Sequence, residues 1–155
     1  MKYLLPLVIA STAISAQARE ISFNACPPAV RETIESSLDG GVIDEIDEVQ
    51  INGLTRYVVD IDGPGGRDVT LRIGPAGKLL LTSEDLKLSE CPAAVRTAIK
   101  KLLKSGWRID DIDREVSGKN TRYRIDIDRR NARDLEFVLS RGGKVLERTI
   151  ERFDP

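Results

Sequence analysis

The chain has 155 residues, of which 41% are hydrophobic and 32% are charged, a balance typical of a folded globular domain. Histidine is absent, which excludes Ser-His-Asp triads, HExxH zinc sites and imidazole acid–base catalysis. The charge is uneven, because residues 19–90 hold 7 Lys or Arg against 14 Asp or Glu, whereas residues 91–155 hold 16 against 11. Such an asymmetry indicates either two halves that complement each other or a dipolar surface that steers a partner.

The N-terminal residues have the pattern of a secretory signal peptide. Lys2 precedes an apolar run over residues 3–14, and Ala16-Gln17-Ala18 supplies the small-x-small cleavage pattern. The run is too short to span a bilayer and no second apolar stretch follows, so we expect no membrane span. Cleavage after Ala18 would leave 137 residues in the periplasm or outside the cell.

Four segments recur in the same order later in the chain. The pairs are "CPPAVRETIE" (26–35) with "CPAAVRTAIK" (91–100), "TRYVVDID" (55–62) with "TRYRIDID" (121–128), "RDVTLRI" (67–73) with "RDLEFVL" (133–139), and "GKLL" (77–80) with "GKVL" (143–146). Chance agreement over so many segments is implausible, and repeats of this kind indicate a duplicated structural unit. We therefore predict two repeats, at residues 19–88 and 89–155.

Each repeat is predicted to begin with a helix. Proline follows both Cys26 and Cys91, and the first helical position tolerates the missing N–H of proline. Val30 and Ile34 fall four residues apart, on one apolar stripe. Gly106 ends the second helix, as the glycine pair at residues 40–41 ends the first.

The segments after each helix alternate with the period of a strand. In residues 121–128, Tyr123 and Ile127 lie on one side, and Arg122 and Arg124 lie on the other. This alternation is typical of an antiparallel sheet with one packed face and one solvated face. The predicted fold class is α+β, with two tandem repeats that each pack one helix on a roughly four-stranded antiparallel β-meander.

These residues resemble modules of exported bacterial proteins. "CPxAVRxxI", the glycine pair, "TRYxxDID" and the closing "GKxL" are similar to PepSY-like modules, and the tandem arrangement resembles periplasmic proteins of the β-lactamase-inhibitor-protein-like (BLIP-like) fold. The resemblance implies a protein that is not an enzyme and that binds a protein partner through an open sheet face. The candidate partner-binding positions on that face are Arg56, Val58, Arg122 and Arg124.

Trp107 adds a fifth candidate for the partner-binding set. It is the only tryptophan and follows Gly106 in the link between helix and strand. Packing in the core is one interpretation of this residue, and an exposed anchor for a partner is the other.

We therefore expect an exported, non-catalytic module that binds an unknown protein of the cell envelope, for example by inhibiting or regulating a peptidase or another enzyme. Two alternatives stay open. One is a structural or adaptor protein that self-associates through the same face, and the other is a periplasmic protein that binds a small ligand or a cation.

The sequence points to no metal site, cofactor or nucleic-acid partner. The carboxylates of "DIDGPGGRD" (60–68) invite a calcium site, but the segment lacks the third ligand position and the downstream glutamate of an EF-hand. The arginines between residues 122 and 133 form a basic cluster, yet export and an acidic mature chain argue against nucleic acid. The serines have no histidine to activate them.

The two cysteines occupy the same place in the two repeats, at the start of each helix. If a symmetry axis passes between the helix N-termini, Cys26 and Cys91 lie close together, and an oxidising compartment favours one disulfide between them. In the competing interpretation each cysteine is a separate buried hydrophobic residue, or a thiol acidified by its helix N-terminus.

Overall fold

The computed structural model describes residues 17–130 and 132–150. The predicted signal peptide ends at Ala18, so its residues 1–16 lie outside the described part of the chain. The described residues form nine strands and two α-helices. The strands are β1 (Gln17–Glu20), β2 (Val42–Ile51), β3 (Leu54–Gly63), β4 (Arg67–Ile73), β5 (Leu79–Asp85), β6 (Trp107–Ser117), β7 (Asn120–Arg129), β8 (Leu135–Ser140) and β9 (Val145–Ile150), and the helices are α1 (Pro28–Ser37) and α2 (Ala93–Leu102). Within this part of the chain, no helix has the length and hydrophobicity that crossing a bilayer requires.

All nine strands belong to a single antiparallel sheet and follow one another in chain order. The middle of the sheet is the β5–β6 pair, in which Ser83 lies opposite Glu115 and Asp85 lies opposite Asp113. The prediction of two tandem helix-plus-four-strand repeats is therefore wrong. The backbone groups of β5 and β6 hydrogen-bond to each other, so neither strand is a free edge. In two separate sheets, each of these strands would have had an unpaired edge. The boundary at residues 88 and 89 stays a sequence prediction.

Both helices cover the same face of the sheet, since residues paired directly across strands point to the same side. Helix α1 buries Val30 and Ile34 against the first half of the sheet, and α2 buries Val95 and Ile99 against the second half. Their partners include Ile46, Val59, Ile61, Leu71 and Ile73 under α1, and Ile112, Ile125, Ile127, Leu135 and Leu139 under α2. The two buried clusters leave the opposite face of the sheet without a helix in the described part of the chain.

The predicted disulfide is not present, because Cys26 and Cys91 are both free and buried. Cys26 belongs to the cluster under α1, and Cys91 belongs to the cluster under α2. These clusters centre on β3 and β7, which lie four strand positions apart, roughly 19 Å at the usual strand spacing. Each thiol instead contacts a backbone carbonyl four residues earlier, that of Ser22 at 3.8 Å and that of Lys87 at 3.7 Å.

Burial raises the pKa of both thiols, so little thiolate is present near neutral pH. We therefore expect the native protein, at about pH 7.5, to react slowly with an aromatic disulfide reagent, and two thiols per chain to react once the protein is unfolded without reductant. The Cys26→Ser variant should give one thiol under the same conditions. Fewer than two thiols in the unfolded parent protein would show that the cysteines are bonded after all.

Candidate functional site

The face of the sheet that α1 and α2 leave uncovered is called the open face here. Its residues can be followed from strand to strand through the register. Val58 lies opposite Arg72, which lies opposite Leu81. Ser83 lies opposite Glu115 in the middle of the sheet. Residues paired in this way share one side, so these side chains form one continuous surface across both halves.

A hollow of about 650 Å³ opens near the middle of this face and is called the central hollow. It has an apolar part and a charged part, contributed by strands of both halves of the sheet. The apolar side chains that line it are Ile51, Val58, Leu80 and Leu81, and the charged ones are Arg56, Arg72, Glu115 and Arg122.

Among the described residues, the central hollow is lined by three arginines but by only one carboxylate, that of Glu115. Arg122 Nε donates to Glu115 Oε2 at 2.5 Å, so this pair is satisfied internally. Arg56 donates only to the carbonyl of Thr55, at 3.1 Å, and Arg72 has no hydrogen bond or ion pair within the described residues. Two guanidinium groups thus lie beside an apolar surface without a carboxylate partner in residues 17–130 and 132–150.

A smaller hollow of about 180 Å³ adjoins the first and shares Arg72, Leu81 and Glu115 with it. It is called the acidic hollow, and its other main lining residues are Ser83, Asp85, Asp111, Asp113 and Arg124. Asp113 is only 4% exposed and accepts a hydrogen bond from Arg124 Nε at 3.0 Å. Oxygens of Asp85, Asp111 and Asp113 lie within 4.8 Å of one another.

Crowding of these carboxylates changes their protonation. Burial and, after it, the neighbouring charges of Asp111 and Asp113 together raise the pKa of Asp85 to about 6. Burial and then Asp113 also raise the pKa of Asp111. Three ionised carboxylates are therefore unfavourable together, and a bound proton or cation would relieve their repulsion.

The structure brings together most, but not all, of the partner-binding residues predicted from the sequence. Arg56, Val58 and Arg122 line the central hollow, and Arg124 lines the acidic hollow beside it. Trp107 lies on the helix-covered face instead. There it packs against the cluster under α2, with Lys104 Nζ 5.2 Å and Arg129 Cζ 5.5 Å from its ring centroid.

The sequence interpretation missed the residues that β4, β5 and β6 contribute to this face. Arg72 and Leu81 complete the central hollow, and Ser83 and Asp85 reach the acidic hollow. On β6 the structure also buries two carboxylates, those of Asp113 and Glu115. The alternation of acids on β6 and arginines on β7 was the one signal that could have indicated these pairs.

No protein-family model matches the chain, and no curated protein matches its sequence. Solved structures do share its architecture. A BLIP-like protein from Bacteroides fragilis NCTC 9343 superposes with a TM-score of 0.66, covering 84% of this chain and 91% of that chain at 18% identity. The fold is BLIP-like.

Two further structures have the same BLIP-like fold. A DUF2874 family protein from Bacteroides ovatus ATCC 8483 covers 81% of this chain and 88% of its own, with a TM-score of 0.65 and 17% identity. A candidate periplasmic protein from Bacteroides eggerthii DSM 20697 covers the same shares, with a TM-score of 0.66 and 18% identity. These similarities support the BLIP-like part of the resemblance, but not its PepSY-like part or a tandem repeat.

Proposed function

We propose that this chain is an exported, non-catalytic module that binds another protein through the open face, with the central hollow as the main contact. The observation that carries the proposal is the pairing of an apolar surface with two guanidinium groups, Arg56 and Arg72, that have no carboxylate partner within the described residues. Arginine is enriched among interface hot spots, which lie in pockets from which binding excludes water.

The chemistry of the hollow defines the partner segment that fits it. Carboxylates of the partner would accept paired hydrogen bonds from Arg56 and Arg72, because the guanidinium group matches a carboxylate in shape. An apolar side chain of the partner would pack on Val58 and Leu81. Burying about 100 Å² of apolar surface there would contribute roughly 2.5 kcal/mol. The partner is therefore a protein with an acidic loop that presents one apolar anchor.

Two further observations support an exported and non-catalytic role. The predicted leader, with cleavage after Ala18, agrees with the description of the Bacteroides eggerthii protein as a periplasmic candidate. Asp113 and Glu115, the buried acids of the open face, are paired with arginines rather than available for proton transfer. We propose, more specifically, that this binding regulates or inhibits an envelope peptidase or another envelope enzyme.

Charge reversal in the central hollow tests the proposal. Immobilised protein should retain a periplasmic protein, and the Arg56→Glu/Arg72→Glu variant should retain at least tenfold less, because two attractions become repulsions. The matched control is Lys100→Glu/Lys101→Glu, which makes the same charge change on exposed positions of α2. Equal retention by both variants, with melting curves that show both are folded, would contradict binding at the hollow.

Self-association is the second candidate function, and the outer strand β9 favours it. All six residues of β9 are exposed, and Val145, Leu146 and Ile150 expose 41%, 50% and 46% of their surface. Within the described residues β9 pairs with β8 alone, so its other edge could add a strand from a second copy. A dimer in sedimentation experiments that Leu146→Lys dissociates, while the central-hollow variant leaves it intact, would favour this candidate instead.

A further inference from the structure

The acidic hollow has the ligands of a cation site, independently of what the central hollow binds. Asp85 on β5 lies opposite Asp113 on β6, and Asp111 is two residues earlier on the same strand. One oxygen from each lies within 4.8 Å of the others. Oxygens that share a Ca²⁺ at about 2.4 Å can be up to about 4.8 Å apart, so one ion could contact all three.

Asp111 and Asp113 each retain an oxygen for a ligand after they accept hydrogen bonds from Ile112 and Arg124. Asp111 Oδ1 accepts a hydrogen bond from the Ile112 amide at 2.8 Å, which leaves Oδ2. Asp113 Oδ2 accepts from Arg124, which leaves Oδ1. These contacts also fix the orientation of both carboxylates, as hydrogen bonds to ligand side chains do in metal sites.

A buried hydroxyl in the same hollow points to a ligand independently of the carboxylates. Ser83 lines the acidic hollow, two residues before Asp85 and on the same side of β5. It is 8% exposed, and its Oγ has no hydrogen-bond partner among the described residues. Buried hydroxyls are almost always hydrogen-bonded, so an unpaired one beside three carboxylates indicates a group that is bound there in the working protein.

The net charge of the acidic hollow is negative. Four carboxylates line it, those of Asp85, Asp111, Asp113 and Glu115, together with the guanidinium groups of Arg72 and Arg124. Because Arg122 already neutralises Glu115, the three aspartates exceed the two guanidinium groups by one negative charge, which favours a cation.

We propose that the acidic hollow binds one calcium ion through Asp85, Asp111, Asp113 and Ser83 Oγ, with water completing its coordination. Oxygen ligands exclude soft metals as the preferred occupant. Mg²⁺ demands shorter distances and a near-ideal octahedron, which fits oxygens spread over this span less well than Ca²⁺ does. The bound ion would cross-link β5 and β6 on the open face at the middle of the sheet.

Calorimetric titration of the chelator-treated full-length protein with calcium chloride, at about pH 7.5, tests the site. We expect saturable binding of one ion per chain, with a dissociation constant of roughly 10⁻⁴ to 10⁻³ M, as in extracellular calcium modules. Asp85→Asn should weaken binding at least tenfold, and Ser83→Ala should weaken it several-fold. In the parent protein, calcium should shift the NMR signal of the Ile112 amide, which is hydrogen-bonded to Asp111.

Asp110→Asn is the matched control, because it removes the same charge from an exposed neighbour of Asp111. Its affinity for calcium should stay within about twofold of the parent. Absence of saturable binding at millimolar calcium would overturn the site. So would an equal loss of affinity in Asp110→Asn and Asp85→Asn, since diffuse negative charge would then explain the binding.

Discussion

Replacing Gly77 or Gly143 with alanine is expected to destabilise the protein by about 3 kcal/mol. Both glycines have a left-handed backbone, with φ of +79° and +78°. An added Cβ would also lie within 3.0 Å of a helix carbonyl oxygen, that of Ala29 beside Gly77 and that of Ala94 beside Gly143. Both oxygens belong to the backbone in the first turn of a helix. The clash can therefore be relieved only if the helix moves away from the loop that contains the glycine. Urea unfolding of each variant measures the loss.

The control for these variants is Gly118→Ala, where φ is +59° and nothing lies within 4 Å of an added Cβ. Only backbone strain applies there, so about 1 kcal/mol should be lost. If Gly77→Ala and Gly118→Ala lost the same stability, the close contact between helix and turn would not exist in solution.

Replacing Arg124 with methionine is expected to cost about 3 kcal/mol of stability, because it leaves a buried charge unpaired. The carboxylate of Asp113 is 6% exposed, and Arg124 is its only ion-pair partner among the described residues. The matched control is Arg108→Met, whose side chain is 80% exposed and whose partner is Asp128. Removing an exposed pair of that kind should cost less than about 0.5 kcal/mol. Urea unfolding curves of the two variants provide the comparison.

A second substitution at the same site separates charge from packing. Adding Asp113→Leu to Arg124→Met removes the unpaired charge, so the double variant should regain most of the lost stability. A double variant that is no more stable than Arg124→Met alone would show that the side-chain packing of Arg124, rather than its charge, was the source of the loss.

The sequence predicted the local features of the fold well and its assembly poorly. The alternation in residues 121–128 correctly placed Tyr123 and Ile127 on the packed side. It could not reveal that β5 pairs with β6, because that contact joins residues about 30 positions apart whose side chains carry no matching pattern. Two sheets of four strands and one sheet of nine bury the same alternating residues, and only the choice of backbone partners distinguishes them.

The sequence predicted only part of the candidate site, because the rest depends on which strands pair. Arg56, Val58 and Arg122 were found because they alternate with strongly apolar positions. Arg72 was missed because the candidate positions on the sheet face were drawn only from residues 55–62 and 121–128, and not from residues 67–73. The burial of Ser83 in the acidic hollow depends on the neighbouring strands that pair with β5, so no local pattern indicates it.

The most direct test of binding at the open face is photo-crosslinking in living cells from a photoreactive amino acid placed at Val58. If the central hollow is the contact, this position should give an adduct with one envelope protein, and the adduct should disappear when Arg56→Glu and Arg72→Glu are added. The same amino acid at Lys101, exposed on α2 and on the other side of the sheet, should give no such adduct. Adducts of equal yield from Val58 and Lys101, or an adduct that survives the charge reversal, would contradict binding through the open face.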